Sequence, residues 1–174
     1  MSIVICTVIN NSRLLIGSDH RAIRDGQIYD NYQKIYNLKP TIFFAMTGIA
    51  ENGLSIFGSL QQMSNQSSAD IISAADNLLI PSESKLTIML AGKSEDGNFF
   101  VWQKNNNGQI AVQEITSDKA SFSISTTDNI DIIINCFRGL LSIIPPQIAI
   151  SETIKFASTI DNTISLNSSV YELV

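Results

Sequence analysis

Ser2-Ile3-Val4-Ile5-Cys6-Thr7-Val8-Ile9-Asn10-Asn11-Ser12-Arg13-Leu14-Leu15-Ile16-Gly17-Ser18-Asp19-His20-Arg21-Ala22 is the stretch that decides how this chain folds. In an extended strand successive side chains point to opposite faces. Ser2, Val4, Cys6 and Val8 therefore face one way, with Ile3, Ile5, Thr7 and Ile9 facing the other. Neither set makes a polar face. A strand that is apolar on both sides has to be covered on both, which places it inside a layered fold. Asn10-Asn11-Ser12 is a turn cluster and Arg13 to Gly17 resumes the apolar run, so a hairpin is expected. A polar loop should follow from Asp19 to Asn31, with the Asp25-Gly26 turn pair inside it.

Working outward, Tyr32 to Leu38 and Thr41 to Thr47 read as a second pair of strands around Lys39-Pro40. The period then changes. Ile49, Leu54, Ile56, Phe57, Leu60 and Met63 form a helical stripe within Gly48 to Met63. Ser68 to Leu79 is a second helix, with Ser67 or Ser68 as its N-cap, Asp70 in its first turn and Pro81 closing it. Strands return at Leu86 to Ala91, Phe99 to Gln103, Ile110 to Ile115 and Ala120 to Ser125. Glu95-Asp96-Gly97 and Asn105-Asn106-Asn107-Gly108 provide the hairpin turns. Two more helices, Asp128 to Ile143 and Ser151 to Asn162, are divided by Pro145-Pro146, and Thr163 to Leu173 is the last strand. Antiparallel hairpins with helices delivered in pairs predict an α+β fold of two stacked sheets with helix layers outside. No repeat, low-complexity tract or linker divides the sequence, so residues 1–174 are read as one domain.

Composition narrows the function. An apolar share of 44% with 16% charged residues is too hydrophobic for a disordered chain. The length is enough to bury a core without disulfides or metal. Net charge is −5 and the basic residues are nowhere concentrated, which argues against a nucleic-acid partner. No apolar run approaches the length needed to span a bilayer. Met-Ser-Ile-Val-Ile-Cys lacks the basic start and cleavage site of a signal peptide, which predicts a cytoplasmic protein with no membrane partner. Cys6 and Cys136 sit in apolar segments and read as reduced core residues. His20 is the one histidine, so no His/Cys metal cluster can form, and neither a metal nor another cofactor is expected. The glycines make no phosphate-binding loop, dinucleotide turn or nucleophile elbow.

What remains is the start of the chain. A small residue after Met1 is what cytoplasmic methionine removal tolerates. Its loss would leave Ser2 with a free α-amine, whose ordinary pKa of about 7.7–8.0 suits a base near neutral pH. A serine hydroxyl is a weak nucleophile alone, but its own amine can take its proton directly or through a water. Serine at position 2 is common and by itself signifies little.

Three further segments give it meaning: Gly17-Ser18-Asp19-His20-Arg21-Ala22, Gln33-Lys34-Ile35, and Met46-Thr47-Gly48-Ile49-Ala50. Together with Ser2 they resemble the proteasome β-subunit family of N-terminal nucleophile (Ntn) hydrolases, the threonine protease family. The layout is most similar to its bacterial HslV-type peptidase branch. Ser2 and Lys34 are 32 residues apart, and Ser2 and Gly48 46. Both separations equal the family's, while Asp19 lies one residue further from Ser2 than its counterpart does. The resemblance implies a four-layer αββα sandwich and a proteasome-like hydrolase that cuts peptide bonds through an acyl-enzyme on Ser2. It also implies a homo-oligomeric ring, a peptide or unfolded protein as substrate, and a ring ATPase as partner. Lys34 would favour the developing alkoxide. Asp19 would pair with Lys34, and the Gly48 N–H would donate to the oxyanion. Ala22, Tyr36, Met46 and Ala50 match positions that shape the family's first substrate pocket, here apolar.

The chain departs from the family in three places. Serine stands for the more usual threonine. Ser123-Ile124-Ser125-Thr126-Thr127-Asp128 lacks the glycines of the family's Gly-Ser-Gly-like turn, leaving Ser125 or Thr126 to replace its serine. Asp161, with Ser165, is nearest to the family's C-terminal aspartate and its polar neighbour. A retained Met1 would block the amine, and the chain would then be a catalytically inactive ring subunit or interaction module on the same fold.

Overall fold

The computed structural model describes residues 2–82, 85–107, 110–114, 120–124 and 129–174. In chain order these form β1 (Ile3–Ile9), β2 (Arg13–Asp19), β3 (Ala22–Arg24), β4 (Gln27–Tyr29), β5 (Ile35–Lys39), β6 (Ile42–Gly48), α1 (Ala50–Gln61) and α2 (Ser68–Leu78). They continue as β7 (Leu86–Lys93), β8 (Phe99–Asn105), β9 (Ile110–Glu114), β10 (Ala120–Ile124), α3 (Ile130–Leu141), α4 (Pro146–Ile160) and β11 (Ser168–Leu173). Among the described residues two large antiparallel sheets result, in the orders β10-β1-β2-β11 and β5-β6-β7-β8-β9, while β3 and β4 pair with each other.

The two-sided apolar pattern of β1 is used as expected. Val4, Cys6 and Val8 meet Leu14, Ile16, Ile35, Phe43, Ala45, Met89 and Val101 in a core between the two sheets. Ile3 and Ile5 point outward, with Leu15, onto Ile133 and Phe137 of α3 and Ala149, Ile150 and Ile154 of α4. On the far side Phe44, Met46, Ile88 and Leu90 bury Ile56 and Leu60 of α1 and Ile71 and Ala75 of α2. The order of layers is thus helices, sheet, sheet, helices: the αββα sandwich. Among the described residues no helix is long and apolar enough to cross a membrane.

Local chemistry moves some boundaries. The expected polar loop 19–31 contains a short hairpin, because Asp25 and Gly26 take φ of 50° and 75° and fold β3 back on β4. Helix α4 begins at Pro146, well before Ser151, since proline at a first helical position forfeits no hydrogen bond. The last strand starts at Ser168, and residues 161–167 form a loop. The helix expected from Gly48 begins at Ala50, because Gly48 still pairs with Leu86 in the sheet.

Gly17 fixes how closely α4 approaches β2. A Cβ there would collide with Ile150 Cγ2 and come within 3.2 Å of the Ser169 carbonyl oxygen and Val170. Replacing Gly17 by Ala is expected to destabilise the fold by about 1–3 kcal/mol through overpacking, measured as a lower urea midpoint with an unchanged slope.

Candidate active site

Asp19 ends β2 and is completely buried. An ionised carboxylate has about four acceptor positions, and here four donors occupy them. Oδ1 accepts from the Ile3 N–H (3.0 Å) and from Lys34 Nζ (2.6 Å). Oδ2 accepts from the Arg21 N–H (2.9 Å) and the Ser165 N–H (3.3 Å). One side chain therefore ties together the backbone beside Ser2, the lysine before β5 and the loop that leaves α4.

Lys34 is buried, with 3% of its side chain exposed. Burial lowers its pKa below the ordinary lysine value, and the charge of Asp19 works against that drop. An ammonium carries three N–H donors. Asp19 takes one, which leaves donors for a group in the adjoining cleft that Lys34 helps to line. The Lys34 carbonyl accepts from the Met46 N–H (3.1 Å), which locks it to β6.

Gly48 closes β6 with φ of 102°, a conformation that side chains disfavour. Any Cβ there would run into the Lys85 carbonyl. That same carbonyl accepts the Ile49 N–H at 3.0 Å, so the turn into α1 is fixed from both sides. The position demands glycine on two independent grounds.

A surface cleft of about 970 Å³ brings Ser2, Lys34 and Gly48 together. Ala22, Met46 and Ala50 line it as well, along with Ile23, Tyr29, Ile49 and Leu54. Ser2 is 7% exposed. Tyr36, grouped with the pocket residues on sequence, is not among the residues that line the cleft. Its ring lies 4.9 Å from that of Phe57 on the α1 side, and its hydroxyl donates to the Gln33 carbonyl. Ser125 and Thr126 lie outside the described residues.

Asp161 and Ser165 divide the work expected of them. The Asp161 carboxylate accepts from the Thr163 N–H and hydroxyl, which holds the turn after α4. Ser165, four residues on, reaches the site by donating its N–H to Asp19, while its hydroxyl accepts from the His20 N–H (3.0 Å). His20 turns away from the cleft: its Nε2 lies 2.7 Å from Ser169 Oγ, at a separate small cavity. Arg21 has a structural role that its motif position did not reveal. Its guanidinium forks onto Asp30 (2.6 and 2.8 Å) and also donates to the Asn162 carbonyl, binding the β3–β4 hairpin to the 161–165 loop. Cys6 is buried with its thiol pKa pushed up by desolvation, and Cys136 is half-buried; both are free thiols away from the cleft. No group of three or more His, Cys, Asp or Glu among the described residues could hold a metal ion.

No family model matches the sequence, and no curated protein matches it. Solved structures do. Eukaryotic HslV from Trypanosoma brucei superposes with a TM-score of 0.74 over 98% of each chain, at 10% sequence identity. The chain therefore has the HslV, proteasome-like fold across its length, with almost none of that protein's residue identities.

The Asp19–Lys34 pair yields a stability test. Asp19→Asn puts an amide nitrogen where backbone N–H groups donate and leaves a buried ammonium without its counter-charge. A loss of about 3–5 kcal/mol is expected by denaturant titration. Pairing it with Lys34→Met should recover part of that loss, because the unpaired charge goes too.

Proposed function

We propose that the chain is an N-terminal-nucleophile peptidase acting through Ser2 once Met1 is removed. The observation that carries this reading is one cleft holding Ser2, the Asp19-bound Lys34 and the glycine-requiring turn at Gly48. In the reaction the Ser2 hydroxyl attacks a peptide carbonyl and passes its proton to the Ser2 α-amine. The carbonyl oxygen becomes an oxyanion that the Gly48 N–H stabilises, a donor typically worth about 3–4 kcal/mol. The C–N bond breaks as the α-ammonium returns the proton to the departing amine. Water then hydrolyses the ester on Ser2 by the same path in reverse, with the amine again as base.

Lys34 does not supply the base in this scheme. Its charge lowers the α-amine pKa and favours the alkoxide as it develops. Asp19 keeps that charge in the buried site. Ile23, Ile49 and Leu54 are large apolar side chains left 46%, 42% and 39% exposed in the cleft, which suits an apolar residue of a peptide. Homo-oligomeric assembly into a ring, a partner ring ATPase and a cytoplasmic setting belong to the same proposal. The alternative is an inactive ring subunit or interaction module that retains Met1.

Two experiments test the peptidase reading. Intact mass of untagged protein reads the loss of Met1, and a fluorogenic peptide then reads turnover. Ser2→Ala is expected to lower kcat/KM by roughly 10⁴-fold or more. Full retention of Met1, or a Met1-free protein that cuts peptide no faster than Ser2→Ala, selects the inactive subunit or interaction module.

The second is a pH profile. The base must be neutral, so activity rises as the α-amine loses its proton, at or below about 8. Lys34 must stay charged and its pKa is lowered, so the alkaline limb falls below the ordinary lysine value of about 10.4. A bell-shaped kcat/KM is expected. A profile still flat at the ordinary lysine value would remove Lys34 from the mechanism.

A further inference from the structure

Among the described residues, every charged side chain that lines the cleft has an oppositely charged neighbour except one, and Arg24 is shared by two carboxylates. Arg21 is bound to Asp30, Lys34 to Asp19, and Arg24 lies 3.8 Å from Asp25 and 3.5 Å from Glu51. Lys85 also lines the cleft, and among the described residues no carboxylate pairs with it. Its place is set by the backbone. The Lys85 carbonyl backs onto Gly48 and holds the Ile49 N–H, so this exposed ammonium belongs to the residue directly behind the proposed oxyanion donor. Lys85 is thus a cation in the cleft without an ion-pair partner among the described residues, on a chain whose net charge is −5. The same cleft is lined by the apolar side chains of Ile23, Ile49 and Leu54 as well as by the charged Arg24, Asp25 and Glu51.

We propose that Lys85 is a specificity-determining residue. The cleft takes peptides that combine an apolar side chain with a carboxylate close to the peptide bond presented to Gly48. The substrate class in this inference rests on the peptidase reading; the charge preference rests on the cleft itself. An aspartate or glutamate near the scissile bond would supply the counter-charge that Lys85 lacks. A neutral peptide would leave the ammonium as it is in the empty cleft.

The test is binding, so it needs no turnover. The probes are labelled peptides with a central leucine that carry Glu or its uncharged twin Gln at each neighbouring position in turn. They are titrated by fluorescence anisotropy against Met1-free Ser2→Ala protein. At low salt, Glu at one position should tighten binding roughly two- to fivefold over Gln, the range of a solvent-accessible ion pair. High salt should erase the preference by screening. Lys85→Gln should bring the ratio to one, and Lys85→Arg, which keeps the charge, should retain it. A Glu preference at no position, or one that persists in Lys85→Gln, overturns the proposal, as does failure of every peptide to bind. The parent Ser2 protein separates the two readings. Peptides bound with the Glu preference but never cut sink the peptidase and leave Lys85 standing, whereas cutting without that preference does the reverse.

Discussion

A carboxylate stripped of water is tolerated only when each of its lone pairs finds a donor, and Asp19 meets that condition with donors from four separate places in the chain. Two are backbone N–H groups, of Ile3 beside Ser2 and of Arg21 at the start of the β3–β4 hairpin. One belongs to the loop after α4, and one is the Lys34 ammonium. Each oxygen has two of these donors, so losing any one leaves a buried lone pair without its partner. The site's geometry is therefore enforced by the energetics of burial. The ammonium has nowhere else to be charged, and the carboxylate has no other way to be buried. What looks like a catalytic arrangement is also a structural knot joining the end of β2, the approach to β5 and the exit from α4.

The layered fold brings those donors within reach. β1 and β2 are adjacent, so Ile3 at the start of one lies beside Asp19 at the end of the other. β11 pairs with the other side of β2 and matches Ser168 with Asp19, which delivers the preceding loop and its Ser165. Gly17 lets α4 settle on β2 without a side chain between them. Gly48 lets β6 turn into α1 over the Lys85 carbonyl. Both glycines work through absence of bulk: one sets a layer spacing, the other aims an N–H. The second sheet contributes Lys34 and Gly48, and the first contributes Ser2 and Asp19. The cleft opens where the start of β1 meets the start of β5 and the end of β6.

Much of this was legible in sequence because it depends on alternation and spacing. The two apolar faces of residues 2–9 required cover on both sides, and Val4 and Ile3 do lie in different cores. The family resemblance picked Lys34 and Gly48 out from the other lysines and glycines by their separation from Ser2, and one cleft is lined by all three. Less could be read where a role depends on a hydrogen bond that pattern does not encode. Arg21 acts through a fork onto Asp30, and Ser165 through a backbone N–H that any residue could supply. Tyr36 is held beside α1 by a hydroxyl contact with Gln33 and a ring contact with Phe57, neither of which strand periodicity encodes.

An identity of 10% to a chain of the same fold becomes intelligible from these constraints. The cores require only that apolar residues fall at the right period, and many aliphatic side chains fill a layer equally well. Ile, Leu and Val can exchange at most buried positions without altering the layers. The exceptions are positions where one property has no substitute. A buried carboxylate needs a counter-charge at bonding distance, a turn at φ of 102° against a carbonyl needs glycine, and a helix seated on a strand at Gly17 admits no Cβ. Such positions are too few to register in a comparison of whole sequences. They are enough to determine where the two sheets, the hairpin and the C-terminal loop meet, and they fix the cleft at that junction.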